Sequence, residues 1–370
     1  MDSGHVPQAS AAVASSRPRI GLMALATYLP EHVQDAAYLA GESGLPLEVV
    51  REKLGIHAKH RAGPADQTSA MAVWAAERAL ARAGVGPLEL DLILYSGSMH
   101  KDFYVWSAAN RIQHLLGAKN AYAFELVALC TTNVLALKVA RDLMTADPRL
   151  RTVLICGGHR TADLINLRDP SARFLYNLSD GGSAMVLRRD HPANVLLESA
   201  FITDGSLSEL VMIPAGGVRL PTSHQTLNAG QHSFHVSDVQ ALKAGLDGIS
   251  EQRFVHVVRE AVTASGCSLA DIAFLAINHM KPSMHRRILS MLELRDDQSL
   301  YLSDYGHIGA PDQVLALELA TAAGRLRDGD LVVLASAGLG FTWGATALRW
   351  GEGAACLSSE SANGSSAASN

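Results

Sequence analysis

The chain lacks the features that would place it outside a folded, water-facing enzyme. No uninterrupted run of about 18 apolar residues occurs, so no membrane-spanning helix is expected. The opening MDSGHVPQASAAVASSRPRI is small and polar and does not read as a signal peptide, so a cytoplasmic protein is expected. Lys and Arg total 31 against 36 Asp and Glu, a net charge of −5, so no global basic field draws nucleic acid or anionic lipid. Only four cysteines are present, Cys130, Cys156, Cys267 and Cys356, far apart and without a CxxC pair. That spacing points to neither a zinc site nor a disulfide framework. Charged residues are only 18% of the chain while 48% are hydrophobic, and mean hydropathy is +0.12, which excludes a disordered chain. With 370 residues it is long enough for one large core or two domain-sized halves.

Residues 1–18 and 351–370 are rich in Ala and Ser with no apolar periodicity, so both ends are expected to be disordered. Between them, short apolar or β-branched runs predict strands over 20–28, 90–95, 151–156, 183–187, 195–203, 272–277, 331–336 and 342–350. Helical periodicity predicts helices over 67–83, 107–116, 131–145, 236–265, 283–292 and 313–325. Their alternation argues for α/β layers, and strands apolar throughout suit a sheet covered on both faces. A loose duplication divides the chain into a half over 19–190 and a half over 191–350. The turn Asp180–Gly181–Gly182–Ser183 reads as leading into a strand.

Chemistry concentrates at a few positions. In AFELVALCTTNVLALKVARDLM an apolar strand runs into Cys130, which opens a helix apolar on nearly all faces. Unpaired N–H groups and the macrodipole at such a helix start favour thiolate over thiol. Cys130 is therefore either a nucleophile or a buried structural cysteine. His279 follows the strand over 272–277 and precedes Pro282, a strand-to-helix corner that suits either catalysis or a hydrogen-bonded structural imidazole. His307 lies in a Gly-His-Ile-Gly turn, whose glycines let backbone approach a ligand. Asp312 either orients one of these histidines or caps the next helix. The terminal GLGFTWGATALRW is either a tight hairpin or a loop that aims a backbone N–H into a pocket.

Taken in order, the helix-opening Cys130, His279, the Gly-His-x-Gly turn and the terminal GLGFTWG hairpin resemble the thiolase superfamily, most closely the β-ketoacyl-acyl-carrier-protein synthase III branch. The resemblance runs from about residue 19 to 350. It includes ATYLPEHV, EKLGIHAKHRAG, SAANRIQHLLGAKNAYAFELVALC and SDGGSAMVL. It implies a five-layered αβαβα fold of two similar halves related by pseudo-two-fold symmetry, assembled as a homodimer. The implied activity is that of a ketosynthase, an acyltransferase in which Cys130 takes an acyl group from coenzyme A or acyl carrier protein. A malonyl-type thioester then loses carbon dioxide and its carbanion attacks the acyl group. No cofactor is bound permanently; the acyl-coenzyme A or acyl-phosphopantetheine thioesters are substrates. In this reading His279 and His307 donate to the enolate oxygen, and the backbone N–H groups of Cys130 and Leu339 form an oxyanion hole. Phe341 and Asp312 are assigned to substrate or carrier binding. So are Lys281, Arg286 and Arg287, which with His285 form a basic helix start suited to an acidic carrier protein or simply to solvent. Asp102, Phe103 and Tyr104 occupy a loop that shapes the pocket or packs at the dimer interface.

The chain departs from that branch in ways that bear on substrate. His307 stands where the branch has asparagine, giving a Cys-His-His set like that of elongating ketosynthases. Thr131 and Thr132 replace smaller residues and are expected to crowd the pocket. The run His279-Met280-Lys281-Pro282 replaces His-Gln-Ala-Asn, and no tryptophan for an adenine ring is evident around Val49–Gly55. These changes favour a carrier-protein donor and a fatty-acid or polyketide enzyme of specialised metabolism. They also motivate two rivals: an acyltransferase delivering to a hydroxyl or amine, and a non-catalytic partner subunit.

Overall fold

The apolar runs form nine strands of one sheet system in a computed structural model that describes residues 17–351. Expectations for residues 1–16 and 352–370 lie outside the described residues. The strands are β1 (Ile20–Tyr28), β2 (Leu92–Tyr95), β3 (Tyr122–Glu125), β4 (Thr152–Arg160), β5 (Asp180–Arg189), β6 (Val195–Thr203), β7 (Ile272–Ile277), β8 (Leu331–Gly338) and β9 (Thr342–Arg349). Their spatial order is β7-β8-β9-β6-β1-β5-β4-β2-β3. The middle is thin: β1 and β6 meet through one register pair, Gly21↔Val195.

On either side of that seam the same pattern recurs. In β2-β4-β5-β1 the first pair is parallel and the next two antiparallel. In β7-β8-β9-β6 the senses are again parallel, antiparallel, antiparallel. The first unit gains β3 as a parallel edge. In the second, that place is reduced to Ser299, bridged to Leu275.

Helices α1 (Thr68–Ala83) and α2 (Ala108–Leu116) cover the outer face of the first unit, while α4 (Ile249–Ala264), backed by α5 (Pro282–Met291), covers that of the second. Between the sheets lie α3 (Thr132–Ala146) and α6 (Asp312–Ala322), each packed on strands of both units. That is the five-layered αβαβα arrangement. Sequence dictates these places. In α6, Asp312 through Leu317 are all buried, as suits a helix apolar on most faces. One core cluster joins Val134 and Val314 of the central helices to Leu22, Val153, Phe274 and Val332 of both sheets. Each fully buried Val, Leu or Phe stabilises by about 1.5–3 kcal/mol.

Three expectations need correction. Residues Asp180–Ser183 are not a turn but the start of β5. Their glycines serve close packing: a Cβ on Gly182 would lie 2.5 Å from the Met71 carbonyl oxygen of α1. The helix expected over 236–265 is broken, with one helix over Val239–Leu246 and α4 starting after Gly248, whose φ of +72° ends the regular path. Cys267 is disulfide-bonded, which the cysteine spacing did not indicate.

Candidate active site

Cys130 reaches the site through a strained turn rather than directly from a strand. Strand β3 stops at Glu125, and Leu129 then takes φ +52°, a conformation costly for a branched side chain. A single 3-10 turn, Leu129–Thr131, carries Cys130 into the N-terminus of α3. Thr131 donates to the Thr342 carbonyl at 2.9 Å, and Thr132 donates to the Leu129 carbonyl at 2.7 Å while accepting from the Ala128 N–H at 2.9 Å. Both threonines are buried and neither lines the cavity. They brace the turn instead of crowding the pocket, correcting the expectation above.

Two later elements meet this turn. His307 Nε2 lies 3.1 Å from Cys130 Sγ, and His307 Nδ1 lies 2.6 Å from Asp312 Oδ2. The backbone of His307 is tied on both sides, its N–H donating to the Asn177 carbonyl at 2.7 Å and its carbonyl accepting from the Ser179 N–H at 2.9 Å. Buried Lys59 holds that partner segment by donating to the Tyr176 and Leu178 carbonyls, each at 2.9 Å. Burial alone would lower the His307 pKa. The Asp312 carboxylate and the Cys130 sulfur outweigh it and raise the imidazole well above its ordinary value.

Asp312 is fully buried and is neither a helix cap nor a cavity wall. Besides His307, it accepts from the backbone N–H groups of His279 and Ile308, each at 2.8 Å. It therefore ties the two histidine corners together, which corrects its assignment to substrate or carrier binding.

His279 follows β7, as expected, and lines the same cavity as Cys130 and His307. Both of its nitrogens are engaged: Nδ1 with the Asn177 amide at 2.9 Å, Nε2 with the Gly55 carbonyl at 3.1 Å. Burial pulls its pKa down to about 4. The two histidines are thus pushed in opposite directions, His279 by burial and His307 by the Asp312 carboxylate and the Cys130 sulfur.

The β8–β9 loop completes this end of the cavity. A Cβ on Gly338 would sit 2.5 Å from the Ala128 carbonyl and 3.2 Å from the Cys130 nitrogen, so glycine permits the close approach. Among the described residues, neither the Cys130 N–H nor the Leu339 N–H donates to a protein acceptor.

The cavity has a volume of about 690 Å³. Much of its wall is apolar, including Phe174, Phe234, Leu242, Phe254, Leu339 and Phe341. Lys281 and Arg287 line it, as do Asp247 and Glu251, whereas Arg286 does not. His285 is buried against Tyr301, not part of an exposed basic face. Asp102 is not a pocket residue either. It caps α1, accepting from the Thr68 N–H at 2.9 Å and the Ser69 hydroxyl at 2.5 Å. Phe103 and Tyr104 are exposed, at 68% and 86%, and lie outside the cavity. Sequence reasoning missed Asn177 and His159, both lining the cavity. The Gly-Gly-His end of an apolar strand was the available signal for His159. Among the described residues no group of three or more His, Cys, Asp or Glu could hold a metal ion, and no helix is long and apolar enough to cross a membrane.

The buried imidazoles make stability depend on pH. Burial pulls His159, His279 and His285 each down to about 4. In an unfolded chain these groups take up protons near pH 6.5. Between those values the unfolded state binds more protons, so stability falls as pH falls through this window and these groups add no further loss below it. His307 runs oppositely: its raised pKa stabilises fully below its unfolded value and the contribution is lost as pH rises through the folded value. Urea unfolding at pH 7 and pH 5 is expected to show a loss of several kcal/mol at the lower pH.

Comparison with known proteins places this geometry. The family description "3-Oxoacyl-[acyl-carrier-protein (ACP)] synthase III" matches residues 124–205, and its C-terminal counterpart matches residues 262–350. The chain is 30% identical to β-ketoacyl-[acyl-carrier-protein] synthase III of Symbiobacterium thermophilum over 333 residues, covering 90% of this chain and 98% of that protein. It resembles the crystal structure of 3-oxoacyl-(acyl carrier protein) synthase III from Pseudomonas aeruginosa with a TM-score of 0.78 at 27% identity, over 90% and 98% of the two chains. The priming β-ketosynthase of the R1128 polyketide pathway shares the fold, with a TM-score of 0.77 at 22% identity over 92% and 99% of the two chains. The chain belongs to the β-ketoacyl-acyl-carrier-protein synthase III family.

Proposed function

We propose that this protein forms carbon–carbon bonds by decarboxylative Claisen condensation, with the acyl group of one thioester held on Cys130 and a malonyl-type thioester as its partner. The observation that carries this reading is the 3.1 Å contact between Cys130 Sγ and His307 Nε2 inside a largely apolar cavity. The sulfur attacks the thioester carbonyl, and the unpaired N–H groups of Cys130 and Leu339 receive the developing oxyanion. The departing coenzyme A or phosphopantetheine thiolate takes the proton of His307. Once the thiol has left, His307 regains a proton at Nε2 from water. In the second half the malonyl-type group loses carbon dioxide, and its enolate oxygen accepts from His307 Nε2–H. His279 joins as second donor by turning its Nε2–H from the Gly55 carbonyl. The enolate carbon attacks the acyl carbonyl, and the C–S bond to Cys130 breaks.

A second reading has its own support. His307 sits between Cys130 and Asp312 as a relay, while both nitrogens of His279 are already bonded. That arrangement serves acyl transfer to a hydroxyl or amine, with His307 as base, without a second donor. A non-catalytic subunit is disfavoured by the intact relay. Incubation of the acyl-enzyme with malonyl thioester separates the readings: condensation releases carbon dioxide with a β-ketoacyl product, and heteroatom transfer releases none.

Lys281 and Arg287 favour an acidic carrier protein as one source of thioester. Lys281→Glu with Arg287→Glu is expected to raise KM for an acyl-carrier protein about 3- to 10-fold, more strongly at low salt. KM for a carrier-free N-acetylcysteamine thioester moves far less; initial rates at two ionic strengths measure both. A homodimer and a place in specialised metabolism are part of this reading. Exposed Phe103, Tyr104 and Val105 supply an apolar loop for a second copy to cover.

A further inference from the structure

The two hydrogen-bond partners of His279 decide together which of its nitrogens carries the proton. The Gly55 carbonyl, 3.1 Å from Nε2, can only accept, so Nε2 carries a proton and donates it there. Burial holds the ring neutral at pH 7, with its pKa at about 4, so Nδ1 keeps a lone pair. Facing that lone pair at 2.9 Å is the Asn177 side-chain amide, whose N–H donates to it. Asn177 lines the cavity, is only 9% exposed, and reaches both histidines. Its backbone carbonyl accepts from the His307 N–H at 2.7 Å, while its side chain holds His279. Lys59 donates to the carbonyls on either side, at Tyr176 and Leu178, and so fixes the segment that presents the amide. The Tyr301 ring packs against the imidazole with centroids 5.0 Å apart, which leaves the in-plane orientation to the two hydrogen bonds.

Condensation needs the Nε2–H of His279 at the enolate oxygen, so the Gly55 contact is given up at that step. The bond at Nδ1 is then the one that keeps the proton on Nε2, because a histidine's tautomer is set by the partner of its other nitrogen. We propose that Asn177 is a positioning residue for the decarboxylation step. Its amide N–H, held on His279 Nδ1, keeps the proton on Nε2 and aims it when that nitrogen turns from Gly55 to the substrate. Asn177 acts only through His279 and touches no reacting atom. The inference rests on the condensation reading and adds the residue that makes His279 a donor in it.

The test uses the full chain, labelled with nitrogen-15 at histidine, and the variants Asn177→Leu and Asn177→Asp. Leucine is close in size and has no polar atom, whereas a carboxylate keeps the shape and only accepts. The His279 signals are those lost in His279→Gln. In the wild type at pH 7, Nδ1 is expected in the lone-pair range and Nε2 in the N–H range. In Asn177→Asp, Nδ1 is expected to move into the N–H range. On the same preparations, intact mass follows acylation of Cys130 by the octanoyl thioester of N-acetylcysteamine, and carbon dioxide release is followed when the malonyl thioester is added. The ratio of carbon dioxide release to acylation is expected to fall about 10- to 100-fold in Asn177→Leu. A purely structural role would slow both steps alike and leave the ratio unchanged. If Asn177→Leu does not fold, the wild-type tautomer and the Asn177→Asp spectrum decide. A wild-type proton on His279 Nδ1, or a ratio that survives in Asn177→Leu, overturns the inference and leaves the condensation reading standing. A wild type that releases no carbon dioxide overturns the condensation reading, and this inference with it.

Discussion

Asp312→Asn is expected to slow acylation of Cys130 about 10²- to 10⁴-fold at neutral pH. The carboxylate makes three contacts, to His307 Nδ1 and to the N–H groups of His279 and Ile308. All three partners are donors, and an ionised carboxylate is an acceptor on both oxygens. Asparagine has only one acceptor oxygen, so its amide must point N–H at N–H on one side. It also removes the negative charge that counters the burial of His307. The imidazole then loses its proton more readily and turns freely, and the departing thiolate finds neither proton nor fixed geometry. Rapid-quench intact-mass kinetics measures the rate. Proton NMR of His307 separates mechanism from misfolding: its titration shifts to lower pH in the variant while the remaining spectrum stays dispersed. An acylation rate within a few-fold of wild type would show that His307 acts without Asp312.

Trp343→Ala is expected to cost about 3–5 kcal/mol of stability. Trp343 is fully buried in β9, with its indole N–H donating to Ser250 Oγ at 3.0 Å. Arg253 lies over its ring at 5.5 Å and Phe341 stacks on it at 5.9 Å. Removing the indole leaves a void and strips a partner from Ser250. Phe341 and Ser250 line the cavity, so the loss reaches the site: the wall that faces the acyl group is no longer backed. Denaturant unfolding reads the stability, and KM for a medium-chain thioester reads the slackened wall. A change under about 1 kcal/mol would mean that the neighbours collapse into the space, as well-adapting sites do.

These two residues show how differently the chain discloses its parts. Strands over Ile20–Tyr28 and Ile272–Ile277 coincide with their apolar runs, because burial on both faces leaves a continuous local signature. Cys130 stood out because a polar reactive residue opens an apolar helix. Side-chain direction was not legible. Thr131 turns toward a carbonyl 211 residues away, and His279 bonds to a backbone oxygen 224 residues away. Such choices are made by contacts between elements that sequence periodicity does not encode. The same holds for Asp312. Its local context, Pro-Asp-Gln before a helix, fits a cap, and only the approach of two histidine corners turns it into the shared anchor. Gly182 likewise reads as a turn residue. It lies inside a strand because α1 rides directly on it, as it does on Gly158, where a Cβ would stand 2.1 Å from the Thr68 carbonyl oxygen.

One measurement bears most directly on the whole account: the mass of the intact chain after exposure to an acyl thioester, followed by peptide mapping. The account predicts a single acyl group per chain, on the peptide containing Cys130, absent in Cys130→Ala and strongly slowed in His307→Ala. An acyl group found on Cys156 or elsewhere, or none at all on a folded chain with a full panel of coenzyme A and carrier-protein donors, would contradict it.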